Sequence, residues 1–415
     1  MAASARYRLL QKAGMVLGTV VLSALLASAA SAKTDVKMIV AHFSDHTMKT
    51  FQAAADRFEA KNPDIHIVLE EVSWDNLQQR LATDIAGGTA PDLSIVATRW
   101  LYDYATQDIA EPLEGYMTPA FKAKFLDNEL NPQVIDGHLW ALPINFGVRA
   151  LYYNKDILAH AGVAAPPATW DELRTAAQRV KAAGGYGFGL QGKEIETDTY
   201  WYFPLWSFGG EIVVNGKSGI ASDAGVKAAT FYKSLIDDGL TQPSPTGSNR
   251  QDIETLFKQG KLAMVVTGSW LRGQLDVEAP SVHYGLAPLP RGVTQATYSG
   301  TDSVLMFKSS KVKEAAWKFV AEALFAPETR IEWTVTEGFL PVTKAELDDP
   351  RLQGDQSLRV LMSMLPYVRF APQLPNWAQV GDITASTLQR IYLGQLDPKA
   401  GLTQAAEQIN PLIAR

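Results

Sequence analysis

The chain has 415 residues and not one cysteine, so no disulfide framework can hold it together. Stability must come from large apolar cores, and a hydrophobic content of 47% can supply them. Beyond the N-terminal segment, no apolar run reaches the roughly 20 residues that a membrane-spanning helix needs. Basic charge is in deficit: 38 Lys and Arg stand against 44 Asp and Glu, a net charge of −6. That balance argues against nucleic acid or an anionic membrane as partner, since both call for basic surface. Also missing are the G-x-S-x-G elbow, the P-loop, C-x-x-C and H-E-x-x-H. Internal repeats, low-complexity tracts and a long flexible linker are absent too, which argues against an adhesion or scaffold array.

What is present begins with an address. Arg6, Arg8 and Lys12 form a basic start, Ala13 to Ala27 is an apolar run, and Ala30-Ser31-Ala32 is an A-x-A cleavage site. This pattern reads as a secretory signal peptide over 1–32, with a mature chain starting at Lys33 and working in the periplasm. No cysteine follows the cleavage point, so a lipid-anchored N-terminus is not expected. Removing the three basic residues of that segment leaves 35 basic against 44 acidic, a net −9. Roughly 380 mature residues exceed one comfortable core and predict two domains.

Val36 to Val40 reads as a strand and Thr47 to Ala60 as a helix with Phe51, Ala55 and Phe58 on one face. Ile65, Ile67 and Leu69 alternate as the next strand. Asp75 and Gln78 suggest a capping box for a helix that Gly87-Gly88 ends, and Leu93 to Ala97 is a third strand. Strand, helix, strand, helix, strand predicts a βαβαβ unit and a largely parallel sheet. Further on, Thr169 with Glu172 caps a helix, Ser222 or Asp223 opens one through Asp237, and Asp252 to Gly260 is a short one. Ala263 to Thr267 reads as a buried strand, Lys311 to Phe325 as an amphipathic helix, and the last hundred residues as mainly helical.

Three motifs invite chemistry. Gly187 to Gly192 (GFGLQG) matches the dinucleotide fingerprint, but a helix ends just before it and no helical period follows. A glycine-rich strand running close to other backbone fits better. His42, His46 and His66 raise a metal site, yet the first two fall at a strand end and a turn, where the four-residue spacing gives no shared face. Polar lining of a cleft fits them better, and no metal or cofactor is expected. Glu194, Glu196, Asp302 and Glu337 leave a glycosidase pair open, because such pairs are defined in space rather than in sequence.

The aromatics say more. Among ten Trp and fourteen Tyr, Trp170 and Trp317 sit on predicted helices and read as packing. Trp74, Trp100, Trp206 and Trp270 fall at strand ends or in Gly-rich loops, the places that line the crevice of an open α/β sheet. Sugars offer apolar C–H faces ringed by hydroxyls, for which flat rings beside amides and charges are the complement.

Eight stretches in order carry a resemblance: FQAAADRFEAKNP from Phe51, GTAPDLSI from Gly88, DGHLWALP from Asp136, LYYNKD from Leu151, APPATWDEL from Ala165, WSFGG from Trp206, TGSW from Thr267 and GFLPVT from Gly338. With these the chain resembles the extracellular solute-binding proteins of ABC importers, the family that includes the maltose- and glycerol-3-phosphate-binding proteins. The resemblance implies an α/β fold of two Rossmann-like lobes joined by a hinge of three crossing segments, near residues 143, 299 and 345. Lobe 1 would hold 33–143 and 299–345, and lobe 2 would hold 144–298 and 346–415. It implies capture of a small carbohydrate or derivative between the lobes by a monomer, and delivery to the membrane permease subunits of an importer. The implied ligand contacts are His42, Asp45 and His46, then Trp74, then Thr98 and Trp100. Asn145 and Arg149 follow, with Trp206, Gly209, Gly210, Ser269, Trp270, Thr301, Asp302, Glu337, Arg369 and Trp377. The loop Ala41 to Thr47 departs from the Trp-containing pattern usual at that place. Arg149 and Arg369 keep an anionic sugar derivative open beside a neutral glycoside, and a secreted glycoside hydrolase is the competing class.

Overall fold

The computed structural model describes residues 33–126, 129–193 and 196–414. The predicted signal segment 1–32 and Glu194 lie outside the described residues. The principal sheet has nine strands: β1 (Thr34–His42), β2 (Ile65–Ser73), β3 (Leu93–Ala97), β4 (Ala141–Asn154), β5 (Tyr186–Gly189), β6 (Leu262–Gly268), β7 (Tyr284–Ala287), β8 (Thr297–Met306) and β9 (Val368–Arg369). Their order is β2-β1-β3-β8-β4-β6-β5, with β7 beside β4 and β9 beside β8. The longer helices are α1 (Thr47–Lys61), α2 (Trp74–Ala86), α3 (Trp170–Ala182), α4 (Thr197–Ser207), α5 (Asp223–Asp237), α6 (Arg250–Lys258), α7 (Trp270–Glu278), α8 (Pro327–Glu337), α9 (Trp377–Tyr392) and α10 (Pro398–Ile413).

The predicted βαβαβ unit is present. β1 pairs in parallel with both β2 and β3, and α1 buries Phe51, Ala54, Ala55 and Phe58 beneath it. The capping box at Asp75 is not: α2 starts at Trp74, Ser73 stands at its N-cap, and no side chain caps it. Thr169 does cap α3, accepting from the Glu172 backbone N–H. The predicted long helix 311–325 is broken into Lys313–Phe319 and a π-turn, Val320–Leu324.

Two strands carry the architecture. β4 is 14 residues long and pairs antiparallel with β8 through Ala141–Val148, then with β6 through Arg149–Tyr153. β8 reaches from β9, at Thr297 and Tyr298, to β3, at Asp302 to Met306. Of the three predicted crossing points, Pro143 falls in β4, Ser299 in β8 and Ala345 in the short helix Lys344–Leu347. The register of β4 against β8 breaks by one residue between Asp302 and Ser303, leaving Ile144 as the extra residue opposite them. A bulge bends its strand and re-aims neighbouring side chains, and it also accommodates Pro143, which has no ladder N–H to give.

The glycine-rich motif is a strand in close contact with a helix. A Cβ at Gly187 would meet the Ala177 backbone at 2.5 Å. Gly187→Ala should therefore push β5 off α3 and lower the thermal midpoint, whereas Gly184→Asn, at φ +88 with open space around it, should be mild. A thermal scan of both variants checks the contrast.

Candidate functional site

Asp302 lies opposite Asn145 on one side and Ala97 on the other, so the C-terminal end of β3 meets the interior of β4 and of β8 at the bulge. The Asn145 Oδ1 accepts from the Asp302 backbone N–H at 3.1 Å, while its buried Nδ2 has no hydrogen-bond partner among the described residues. A cavity of about 330 Å³ opens beside this junction. Its polar wall consists of Thr98, Arg99, Asn145, Arg149, Glu196, Arg250, Thr301 and Asp302. Its apolar wall includes Phe43, Trp74, Tyr102, Tyr298, Phe339 and Phe370. Asn131-Pro132 and Ala371-Pro372-Gln373 complete the rim, where the Gln373 amide donates to the Pro132 carbonyl at 2.9 Å.

The three arginines are held by carboxylates. Arg99 forks onto Asp198, at 3.4 Å and 3.2 Å. Arg149 faces Glu196 at 3.6 Å, and Arg250 contacts Glu196 at 3.3 Å and Glu254 at 2.8 Å. Trp270 organises two of them: the Arg149 and Arg250 guanidiniums each lie 5.0 Å from its ring. Its indole N–H donates to Glu254 at 2.8 Å. The ring occupies the space a Cβ of Gly268 would need, 1.9 Å away. Trp270 is 8% exposed, so most of its surface is committed to packing and cation–π contact.

Burial pushes the Asp302 carboxyl up to about 7, against the opposing influence of the adjacent Asn145 side chain and of the Arg149 and Arg250 charges, with Glu196 adding to the rise. A carboxyl raised in the folded state favours its protonated form there. The stability it contributes is fully present below about 3.8 and is lost as pH rises through about 7. Asp302→Asn should match the wild type near pH 4 and gain on it steadily up to about pH 7. The gain should then level off at a few kcal/mol at most, since one pKa unit corresponds to about 1.4 kcal/mol. Urea titrations across that pH range check the growing difference.

Of the residues singled out in the sequence, the cavity brings together Trp74, Thr98, Asn145, Arg149, Glu196, Trp270, Thr301 and Asp302. The others stand elsewhere. His42 pairs with Glu71 at the surface, Asp45 is exposed, and His46 stands at the N-cap of α1. Trp100 lies behind Trp74, stacked at 5.7 Å, and Trp206 lies behind Tyr298, stacked at 6.2 Å. The expectation that Trp206 sits on a loop is corrected by its place inside α4, where every residue is buried. Gly209 makes the turn after α4 at φ +89, and Gly210 packs on Leu205. Ser269 is fully buried at the N-cap of α7, and Trp377 is buried at the start of α9. Glu337 accepts from Ser44 at 3.0 Å and Thr47 at 2.8 Å, away from the cavity, and burial pushes it up to about 7. Arg369 pairs with Glu211 on the exterior. Sequence reasoning missed Arg99, Arg250, Tyr298, Phe339 and the 370–373 rim. Arg99 and Tyr298 each adjoin a chosen strand end, which was the available signal.

The description "bacterial extracellular solute-binding protein" fits residues 44–329. A Brucella abortus (strain 2308) protein, whose name specifies no ligand, is 47% identical across 97% of this chain and 98% of its own length. The sn-glycerol-3-phosphate-binding periplasmic protein of Escherichia coli (strain K12) is 27% identical, over 88% of this chain and 90% of that protein. Among solved structures, an ABC transporter solute-binding protein from Thermotoga lettingae with bound α-D-tagatose superposes with a TM-score of 0.85. It is 24% identical and covers 92% of this chain and all of that one, and it shows the shared fold. That fold is the maltose-binding-protein-like one of periplasmic binding proteins. The model match across more than half the chain and the 47% relative lead to one conclusion: this chain belongs to the bacterial extracellular solute-binding proteins.

Proposed function

We propose that this protein captures a small, neutral carbohydrate or polyol in the periplasm and delivers it to the permease of an ABC importer. The two lobes would divide as 33–143 with 299–345 and 144–298 with 346–415, closing on the ligand by hinge motion at β4 and β8. The observation that carries the neutral reading is the pairing of every cavity arginine with a buried or half-buried carboxylate. An anion would have to displace Asp198, Glu196 or Glu254 from a guanidinium, or bring uncompensated charge beside Asp302. A neutral polyol needs only donors and acceptors, which the free Asn145 amide, the Arg149 Nε and the Thr98 and Thr301 hydroxyls can supply. Trp74, backed by Trp100, is the ring best supported to face a sugar, while Tyr298 lines the cavity in contact with Trp206 and the Arg149 guanidinium. Thermal unfolding against D-tagatose, maltose, other neutral sugars, polyols and sn-glycerol 3-phosphate tests this. A fitting ligand at one hundred times its Kd stabilises by about 2.7 kcal/mol. Stabilisation by the phosphate alone would overturn the neutral reading.

One observation favours a hydrolase. Asp302 and Glu196 both line the cavity in unlike environments, the first raised by burial and the second held between two guanidiniums, as the two carboxyls of a glycosidase would differ. Against it, both Glu196 oxygens are engaged by guanidiniums, which leaves neither free for attack or for activating water. Release of reducing sugar from a matched glycoside, lost in Asp302→Asn, would favour the enzyme.

A further inference from the structure

We propose that Arg99 and Asp198 form a cross-lobe latch that holds the cavity closed and couples closure to ligand capture. The inference rests on the two-lobe reading above. Arg99 stands in the turn Thr98–Trp100 at the end of β3, in the first lobe, and Asp198 in the first turn of α4, in the second. The guanidinium reaches Asp198 with both terminal nitrogens, at 3.4 Å and 3.2 Å, and donates to the Thr199 hydroxyl at 3.0 Å. Asp198 is fully buried and the Arg99 side chain is 10% exposed. A buried fork of this kind has strict geometry, because one planar group must meet two oxygens at once.

The surroundings are shaped to admit it. Gly381 in α9 has no side chain where one would collide: a Cβ there would stand 2.5 Å from an Arg99 terminal nitrogen and 3.3 Å from Asp198. Away from the crossing segments, the other hydrogen bonds between the lobes are less buried, among them Asn249 to Asp75 at 2.7 Å, Gln274 to the Phe43 carbonyl at 2.8 Å, Gln373 to the Pro132 carbonyl at 2.9 Å and the Asn376 backbone N–H to Asp103 at 3.1 Å. Arg99 also lines the cavity, and its buried Nε has no hydrogen-bond partner among the described residues. One guanidinium therefore gives two nitrogens to the far lobe and keeps a third, buried and unengaged, at a residue of the cavity wall. A ligand oxygen accepting from Nε fixes the plane of the guanidinium in the orientation that Asp198 needs. Occupancy and closure then favour each other through one side chain, and Asp198 is a positioning residue that need not touch ligand.

The test needs no ligand. Because the chain has no native cysteine, nitroxide labels at Gln79→Cys in α2 and Thr255→Cys in α6, both exposed, report the distance between lobes alone. Pulsed electron resonance on the free protein should give a closed population for the labelled parent. Asp198→Asn should cut that population about threefold or more, moving weight to longer distances. Gly381→Ala should act in the same direction, although alanine is the better helix former, because its Cβ displaces the guanidinium. Asn249→Ala should change little. Circular dichroism verifies that each variant is folded, and Gly381→Ala serves where Asp198→Asn is not. Distances that respond to maltose, D-tagatose or Asn249→Ala, but not to a folded latch variant, overturn the latch and leave the capture reading standing. Distances that respond to nothing overturn both.

Discussion

Trp270→Ala should lower the unfolding free energy by about 3–5 kcal/mol and weaken ligand binding more than tenfold. The stability loss follows from what the ring touches. It fills the space over Gly268, lies against Phe339 at 6.1 Å, and supports two guanidiniums. The affinity loss follows because Arg149 and Arg250 lose the face that aims them, and a tenfold change needs only about 1.4 kcal/mol. Trp270→Phe keeps a ring but drops the indole bond to Glu254, so it should fall between the two. Urea denaturation and ligand titration of the same preparations separate the effects. A variant as stable as the parent would mean that Trp270 is an open platform rather than a buried support.

Arg149→Ala should have the second largest effect, and Arg369→Ala almost none. Arg149 is 5% exposed on its side chain, rests on Trp270 and Tyr298, and faces Glu196. Gly300 gives it room, since a Cβ there would lie 3.2 Å from the guanidinium. Removing one partner of a buried pair costs about 3–5 kcal/mol, because the other charge stays buried alone. Arg250 still engages Glu196, which puts the expectation at the lower end. The Arg369 and Glu211 side chains are 37% and 49% exposed, so their pair contributes about 1 kcal/mol or less, and the guanidinium lying 5.8 Å from the Trp206 ring adds about as little. Denaturation midpoints of the two alanine variants, side by side, check the contrast. Equal losses would show that burial does not set the worth of these arginines.

Much of the fold was legible because local signals and tertiary demands agreed. The alternation of Ile65, Ile67 and Leu69 and the cap at Thr169 each specify an element that packing then keeps. Where they disagreed, packing won: Trp74 turns into the first residue of α2, so the box expected at Asp75 has no end to cap. The site was half legible. The end of β3 marked the right neighbourhood, and Thr98, Asn145, Thr301 and Asp302 meet there because β3 ends beside the bulged middle of β4 and β8. Whether a tryptophan lines a cavity or backs the ring that does is settled by one layer of packing. Trp100 and Trp206 occupy that second layer, and no periodicity records it. Arg250 and Glu196 are far apart in sequence and are paired only by the approach of α6 to the start of α4.

The central claim is that this cavity holds a neutral sugar and does not transform it. Equilibrium dialysis of the purified protein against a mixture of neutral sugars, polyols and sn-glycerol 3-phosphate tests that most directly, with the retained molecule identified by mass after denaturation. The expected result is one neutral sugar or polyol per chain, recovered chemically unchanged, and lost in Trp270→Ala. Retention of the phosphate alone, or recovery of cleaved sugar, would contradict the account.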